Sequence, residues 1–365
     1  MRIVVKLGTR TLTMGGDHLS RPRMLDLVRQ MATLHDQGHQ LLLVSSGAIF
    51  AGRERMGLSA RHKDIAFKQT MAAVGQVALM GLYEQFFGFY GIHVAQALLT
   101  RGDFADRERY LNARNTLMAL VGLRSVPIIN ENDVVAVEEI KIGDNDNLSA
   151  LVANLVDADL LIILTDQAGL FTADPRRDPQ ARLVPVVATI TDEVRRLAGG
   201  RGSAVSVGGM ITKIEAAELA TRSGVEVIIA AGSEPDVLPR LVAGEAIGTR
   251  FRTAVSHVES RKRWILAEPP AGELEVDDGA ARAVVEGGKS LLAVGIVSVH
   301  GEFQRGQTVR LLDQRQRELA RGVTNYESAS LRVIRGHQSA EIPALLGFEY
   351  GPTVVHRDSL VVVQC

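Results

Sequence analysis

Up to about residue 250, short apolar runs alternate with longer stretches in which apolar residues recur at helical spacing. The runs Ile3–Leu7, Gln40–Val44, His93–Leu98, Val126–Ile129, Leu160–Leu164 and Val225–Ala230 are apolar without a polar alternate, as expected of strands covered on both faces. Helical patterns lie between them, over Arg23–Gln37, Ile65–Tyr90, Tyr110–Leu123, Leu148–Val156 and Gly209–Ser223. In one of them Leu148, Leu151, Val152, Leu155 and Val156 fall at i, i+3, i+4, i+7 and i+8. Strands alternating with helices predict an α/β fold, a mostly parallel sheet sandwiched between helices.

Past that point the pattern changes. Ser256 to Glu268 is rich in charge, and Glu268-Pro269-Pro270-Ala271-Gly272 reads as a linker. Then come short β-type segments punctuated by glycine, Ser290–Ser298, Thr308–Leu312 and Leu360–Gln364, with helical stretches at Ala280–Glu286 and Ser328–Arg335. The division predicted is an α/β domain over 1–255, a linker over 256–272 and a small β-rich domain over 273–365. A chain of 365 residues is long enough for two such cores.

Bulk composition narrows the partners. A net charge of −1 argues against a surface that tracks a phosphate backbone throughout. The only cysteine is Cys365, which rules out an internal disulfide or a cysteine metal site and suits a reducing compartment. No uninterrupted apolar stretch approaches the roughly 18 residues of a membrane helix. Met1 to Lys6 enters a strand at once, without room for a signal peptide. A cytoplasmic protein with no membrane partner is expected.

Ligands of open parallel sheets bind beyond the carboxyl ends of the strands, and the unusual residues lie there. Lys6-Leu7-Gly8-Thr9, Ser45-Ser46-Gly47-Ala48, Asn130-Glu131-Asn132-Asp133 and Thr165-Asp166 each follow a strand candidate. A fifth cluster, Gly143-Asp144-Asn145-Asp146-Asn147, reads as a turn opening a helix; alone, it is also what an ordinary Asp or Asn N-cap looks like. No Walker-type or dinucleotide glycine motif is present. Gly8 would let the backbone approach a phosphate while Lys6 supplies charge. Ser206-Val207-Gly208-Gly209-Met210-Ile211-Thr212-Lys213 opens a helix whose first N–H groups suit a polyphosphate. Two lysines, glycine-rich turns and acids able to hold Mg²⁺, with no Ser-His-Asp triad or paired-His motif, point to phosphoryl transfer. That reaction is catalysed by positioning and charge stabilisation: Lys6 and Lys213 would neutralise the moving group and Asp146 would hold both lysines.

The same residues carry a resemblance. Val5-Lys6-Leu7-Gly8-Thr9, Ser46-Gly47-Ala48-Ile49, Leu111-Asn112-Ala113-Arg114, Ile129-Asn130-Glu131-Asn132-Asp133, Gly143 to Ala150, Leu164-Thr165-Asp166 and Gly208-Gly209-Met210 match motifs of one family. So do Arg261-Lys262-Arg263-Trp264 and Gly347 to Pro352. The chain resembles, over essentially its whole length, the glutamate 5-kinases of the amino-acid kinase family with a C-terminal PUA domain. The resemblance implies an amino-acid kinase fold over 1–255, a PUA domain over 273–365, and ATP and Mg²⁺ as cofactors. It also implies phosphorylation of the side-chain carboxylate of L-glutamate, the first step of proline synthesis. By the same likeness Lys6, Gly8, Thr165, Asp166 and the segment Val207, Gly208, Gly209, Met210, Ile211, Thr212 and Lys213 line the ATP site. Ser46, Gly47, Asn130, Asp133 and Asn145 hold glutamate, and Asp146 organises Lys6 and Lys213. Feedback inhibition by proline and assembly into dimers or tetramers are further implications. The family usually has threonine where this chain has Val207, which removes one hydrogen bond to the nucleotide, worth about 1 kcal/mol.

A carboxylate substrate is already ionised at neutral pH, so no general base is needed. A related kinase acting on aspartate, N-acetylglutamate or carbamate shares much of the pattern. Asp133, read as the partner of a free α-ammonium, disfavours the acylated substrate. An RNA-binding protein working through the C-terminal domain is the third reading. That domain holds ten Lys and Arg against twelve Asp and Glu, which favours a role in assembly or regulation, although Arg305, Arg310, Arg315, Arg317 and Arg321 leave room for a basic face.

Overall fold

A computed structural model describes residues 1–58, 64–136, 145–199, 209–253, 256, 259, 262 and 265–363. They divide into two compact units, Met1–Phe104 with Ala113–His257, and Ala105–Asn112 with Val258–Cys365.

The first unit is built on an eight-stranded sheet. In chain order its strands are β1 (Arg2–Leu7), β2 (Gln40–Ser45), β3 (Val94–Leu99), β4 (Val126–Glu131), β5 (Leu160–Thr165), β6 (Val186–Val187), β7 (Glu226–Ala231) and β8 (Thr249–Phe251), arranged β3-β4-β2-β1-β5-β7-β8-β6. All six strands read from the apolar runs form, each within a residue or two of its expected bounds. β1 lies between β2 and β5, with Lys6 opposite Val44 and Ile163. Every pairing is parallel except β7 with β8. The exits of β1, β2, β4, β5 and β7 therefore lie along one edge, which gathers the polar strand ends. Ile3, Val5, Leu41, Leu43, Ile128, Ile162 and Ile228 fill the core with helix side chains such as Leu27, Met31, Tyr83 and Phe87.

The helices Arg21–Asp36, Ile65–Gly88, Arg107–Gly122, Asn145–Leu155 and Met210–Arg222 form where the helical spacing predicts them. One expectation is corrected. Asn145, Asp146 and Asn147, read as part of a turn, are the first turn of the Asn145–Leu155 helix. Asp and Asn suit both places, because a helix start offers orphan N–H groups and a partial positive charge. The Ala48–Met56 helix has no clean apolar period and was not foreseen. Among the described residues Ile65–Gly88 is the one helix long and apolar enough to cross a membrane. Here Leu79, Tyr83, Phe86 and Phe87 on its inner side pack into the core of the first unit.

The second unit holds a six-stranded sheet of β9 (Gly272–Val276), β10 (Leu291–Leu292), β11 (Ile296–His300), β12 (Thr308–Leu312), β13 (Glu318–Thr324) and β14 (Thr353–Val362), in the order β10-β14-β13-β12-β9-β11. The segment Ser290–Ser298, expected as one β stretch, is broken by a 3₁₀ turn at Ala293–Gly295. Gly295 is tightly packed there: a Cβ would come within 2.4 Å of the Ala280 Cβ. Leu274, Val309, Leu311, Tyr326, Leu331 and Val354 form its core. Within this unit Leu111 packs with Ile265, Val323 and Val361, and Glu268 accepts hydrogen bonds from Arg107 (2.8 Å) and Thr308 (2.7 Å).

Candidate active site

Three charged side chains that are far apart in sequence meet beyond the sheet edge. Asp146 Oδ1 lies 2.5 Å from Lys6 Nζ, and its Oδ2 lies 3.0 Å from Lys213 Nζ. All three are buried, Asp146 to 1 % exposure. Lys6 arrives on β1, Asp146 on the first turn of one helix, and Lys213 one turn into the Met210–Arg222 helix. Thr212 Oγ1 donates to Asp146 Oδ2 at 2.9 Å. Burial alone would push the Asp146 carboxyl up; the two ammonium groups outweigh it and hold the carboxyl well below the usual carboxylate range. The three groups together carry one surplus positive charge in a place nearly closed to water. An arrangement of that kind attracts an anion and makes its charge cheaper to move.

They border a cavity of about 1170 Å³ that also takes in Gly8, Ser46, Thr165, Asp166, Gly209 and Met210. Most of the residues expected to hold a nucleotide therefore share one space, roomy even by the usual range of ligand clefts, roughly 300–1,000 Å³. A Cβ on Gly8 would sit 3.5 Å from Lys6 Nζ, in the space an anion would use. Ile211 lies in the same helix, half-buried. Val207 and Gly208, like Gly143 and Asp144, lie outside the described residues.

The amides form a second group. Asn145 Nδ2 is 2.9 Å from Ser46 Oγ, 3.0 Å from Asn130 Oδ1 and 3.3 Å from the Ser45 carbonyl. Gly47, at φ 109°, turns the chain from Ser46 into the Ala48–Met56 helix, a conformation that glycine adopts without strain. Asp133, half-buried in the turn after β4, makes no hydrogen bond to this group. Burial pushes its carboxyl up to about 6, and no ion pair joins it to another described residue.

Several residues of the site carried no signal in the sequence. Arg10 bonds Asp166 at 2.9 Å on the cavity wall, and Arg176 and Arg177 line the same wall. Burial opposes ionisation of Asp166, but hydrogen bonds from Arg10 and Thr165 hold its carboxyl below the ordinary value. Tyr83, wholly buried, meets Ser45 Oγ at 2.7 Å. Gln76, an amide buried on the inner side of the Ile65–Gly88 helix, was not singled out in the sequence. Among the described residues no group of three His, Cys, Asp or Glu side chains is placed to hold a metal, and both oxygens of Asp146 face ammonium groups.

The chain is similar to known proteins over its whole length. The family model described as the amino acid kinase family matches residues 1–231, and that of the PUA domain matches residues 272–346. The chain is 56 % identical over 363 residues to the glutamate 5-kinase of Deinococcus radiodurans, covering 100 % of both chains. It is 55 % identical over 359 residues to that of Citrobacter koseri, covering 98 % of each. Among solved structures, the UMP kinase of Bacillus anthracis is similar at a TM-score of 0.47 and 15 % identity, over 70 % of this chain and 96 % of that one.

Proposed function

The chain belongs to the amino acid kinase family, and from that premise we propose that it transfers the γ-phosphoryl group of ATP to the side-chain carboxylate of L-glutamate. The product is L-glutamyl 5-phosphate, and the reaction opens proline biosynthesis. The observation that carries the reading is the Lys6–Asp146–Lys213 group at the cavity wall. The acceptor is a carboxylate that needs no base, so the barrier is repulsion between two anions. Two ammonium groups, each steered by one oxygen of Asp146, offset that repulsion as the phosphoryl group moves. Gly8 and the start of the Met210–Arg222 helix give the phosphates close backbone approach.

Mg²⁺ belongs to this chemistry as the ion that neutralises the phosphates. Asp146 is engaged by the lysines, so the ion would come with the nucleotide, adding charge neutralisation beside that of Lys6 and Lys213. Ser46, Asn130 and Asn145 form the glutamate side of the site, with Asp133 as the partner of the α-ammonium. Binding of that ammonium would offset the cost of burying the Asp133 carboxylate. Proline acts at or near this pocket as feedback inhibitor, the chain works as a dimer or tetramer in the cytoplasm, and the C-terminal domain serves assembly or regulation.

Glutamate-dependent ADP release with hydroxylamine trapping tests the reading, since an acyl phosphate yields a hydroxamate. Glutamate is expected to turn over, and N-acetylglutamate, aspartate and carbamate are not. Turnover of aspartate without glutamate overturns it.

A further inference from the structure

The amides of the substrate side are linked in a chain that ends on a residue outside the set assigned to glutamate. Asn145 Nδ2 has only two hydrogens for its three neighbours, Ser46 Oγ, Asn130 Oδ1 and the Ser45 carbonyl. The carbonyl cannot donate, so the nitrogen of the Asn145 amide must face this way. Its oxygen, Oδ1, is buried with no hydrogen-bond partner among the described residues, in a side chain 7 % exposed. Buried acceptors left without a donor are uncommon and costly. Glutamate offers only one donor group, its ammonium.

Asn130 is fixed in the same way. Its Oδ1 accepts from the backbone N–H of Glu131 at 2.9 Å and from Asn145. Its Nδ2 donates to Gln76 Oε1 at 2.9 Å. Gln76 is buried in the Ile65–Gly88 helix and donates in turn to Gln96 Oε1 at 3.4 Å. The directions of Asn145 and Asn130 are each set at a backbone group, and that of Gln76 follows from Asn130.

We propose that Gln76 is a positioning residue for the amino-acid substrate: it holds Asn130, which holds Asn145, so that Asn145 Oδ1 is kept as a ready acceptor for the substrate ammonium. The inference rests on the glutamate reading above. Gln76 touches no substrate; its effect passes through two other amides. Losing its oxygen leaves Asn130 Nδ2 without an acceptor and frees Asn130 to rotate away from Asn145.

The test is steady-state kinetics on the full chain, by ADP release and hydroxamate formation, for Gln76→Met and Gln76→Ala. Both remove the acceptor; the alanine variant, which leaves space for water, serves if the methionine variant does not fold. The KM for glutamate should rise about tenfold, the size expected for one lost hydrogen bond to a charged group, with kcat and the KM for ATP within twofold and the melting temperature little changed. Preference for glutamate over glutarate, which lacks the ammonium, should fall by a similar factor. In an Asn130→Ala background, Gln76→Met should add less than twofold, because the two act as one unit. An unchanged glutamate KM, an unchanged glutarate preference, or a full tenfold effect in the Asn130→Ala background overturns the proposal and leaves the kinase reading intact. A wild-type chain that makes no hydroxamate from glutamate overturns both.

Discussion

At the scale of single residues, the site separates groups that hold charge from groups that move it. Asp146 is buried between two lysines, so its loss has two consequences. Asp146→Asn leaves two ammonium groups facing one another without their anion, and breaking a buried pair costs about 3–5 kcal/mol. A lowered melting temperature and loss of turnover are expected together. Lys213→Ala differs, since Lys6 still lies 2.5 Å from the carboxylate. Turnover should fall by about 10²–10³-fold, the effect of removing one preorganised charge-stabilising donor, with melting little affected. Equal loss of stability in both variants would refute the division of labour. Asp133 adds a pH dependence. Its carboxyl sits near 6 in the free protein, and only the ionised form can pair with an ammonium, so kcat/KM for glutamate should drop as pH falls through about 6. The sign for stability is the reverse. An exposed aspartate titrates near 3.9, so ionising Asp133 costs the free fold stability as pH rises from about 4 to about 6. At neutral pH Asp133→Asn should therefore stabilise the unliganded protein by up to roughly 3 kcal/mol and abolish the acid limb of kcat/KM; thermal melts and a pH profile measure each.

At the scale of elements, the site depends on a helix crossing that the sequence hides. The Ala48–Met56 and Ile65–Gly88 helices approach backbone to backbone at Gly52 and Gly75. A Cβ on Gly75 would lie 1.8 Å from the Ala48 carbonyl oxygen, and one on Gly52 would lie 1.9 Å from that of Met71. Neither oxygen belongs to a flexible side chain. Gly75→Ala must push the helices apart, an overpacking cost of about 1–3 kcal/mol. The shorter helix begins straight after Ser46 and Gly47, so the Ser46–Asn145 contact is displaced with it. The KM for glutamate should rise well before that for ATP; a variant with wild-type melting and kinetics would show that the crossing yields freely. The same elements show how far the sequence could be read. β1, β2, β4, β5 and β7 were legible because burial on both faces leaves an unbroken apolar run. The Ala48–Met56 helix was not, since it packs through glycine and alanine and adds little to an apolar pattern. β9 and β13 were missed for a related reason: GELEV and ELARGVT mix buried and exposed positions with glycine and charge. Lys6, Asp146 and Lys213 were legible as chemical types at strand and helix ends. Gln76 and Arg10 were not, because their partners are set by three-dimensional packing alone.

At the scale of the whole molecule, the C-terminal unit bears on the alternative of RNA binding. Five arginines were the reason in the sequence to entertain a basic face, and the structure pairs three of them, Arg310, Arg317 and Arg321, with acids, while Arg315 is exposed. Arg310 stands opposite Arg321 on neighbouring strands, but Arg310 pairs with Glu273 and Arg321 bonds Glu318 at 2.5 Å. Arg317 bonds Asp313 and Arg332 bonds Glu302, each at 2.7 Å. Arg305 is buried, its guanidinium 3.8 Å from the centre of the Tyr350 ring. A phosphate backbone would have to displace these carboxylates one by one, and each exchange removes the counterion release that drives such binding. With a net acidic domain, association with RNA should stay within the non-specific range, a Kd of roughly 10⁻⁴–10⁻⁶ M at physiological salt. Filter binding of the full chain across a salt series measures this directly. A flat or shallow dependence of log K on log salt is expected, since few phosphates are neutralised. Tight binding with a slope near that of six or more phosphate contacts would mean that the acids move aside, and that the unit recognises nucleic acid after all.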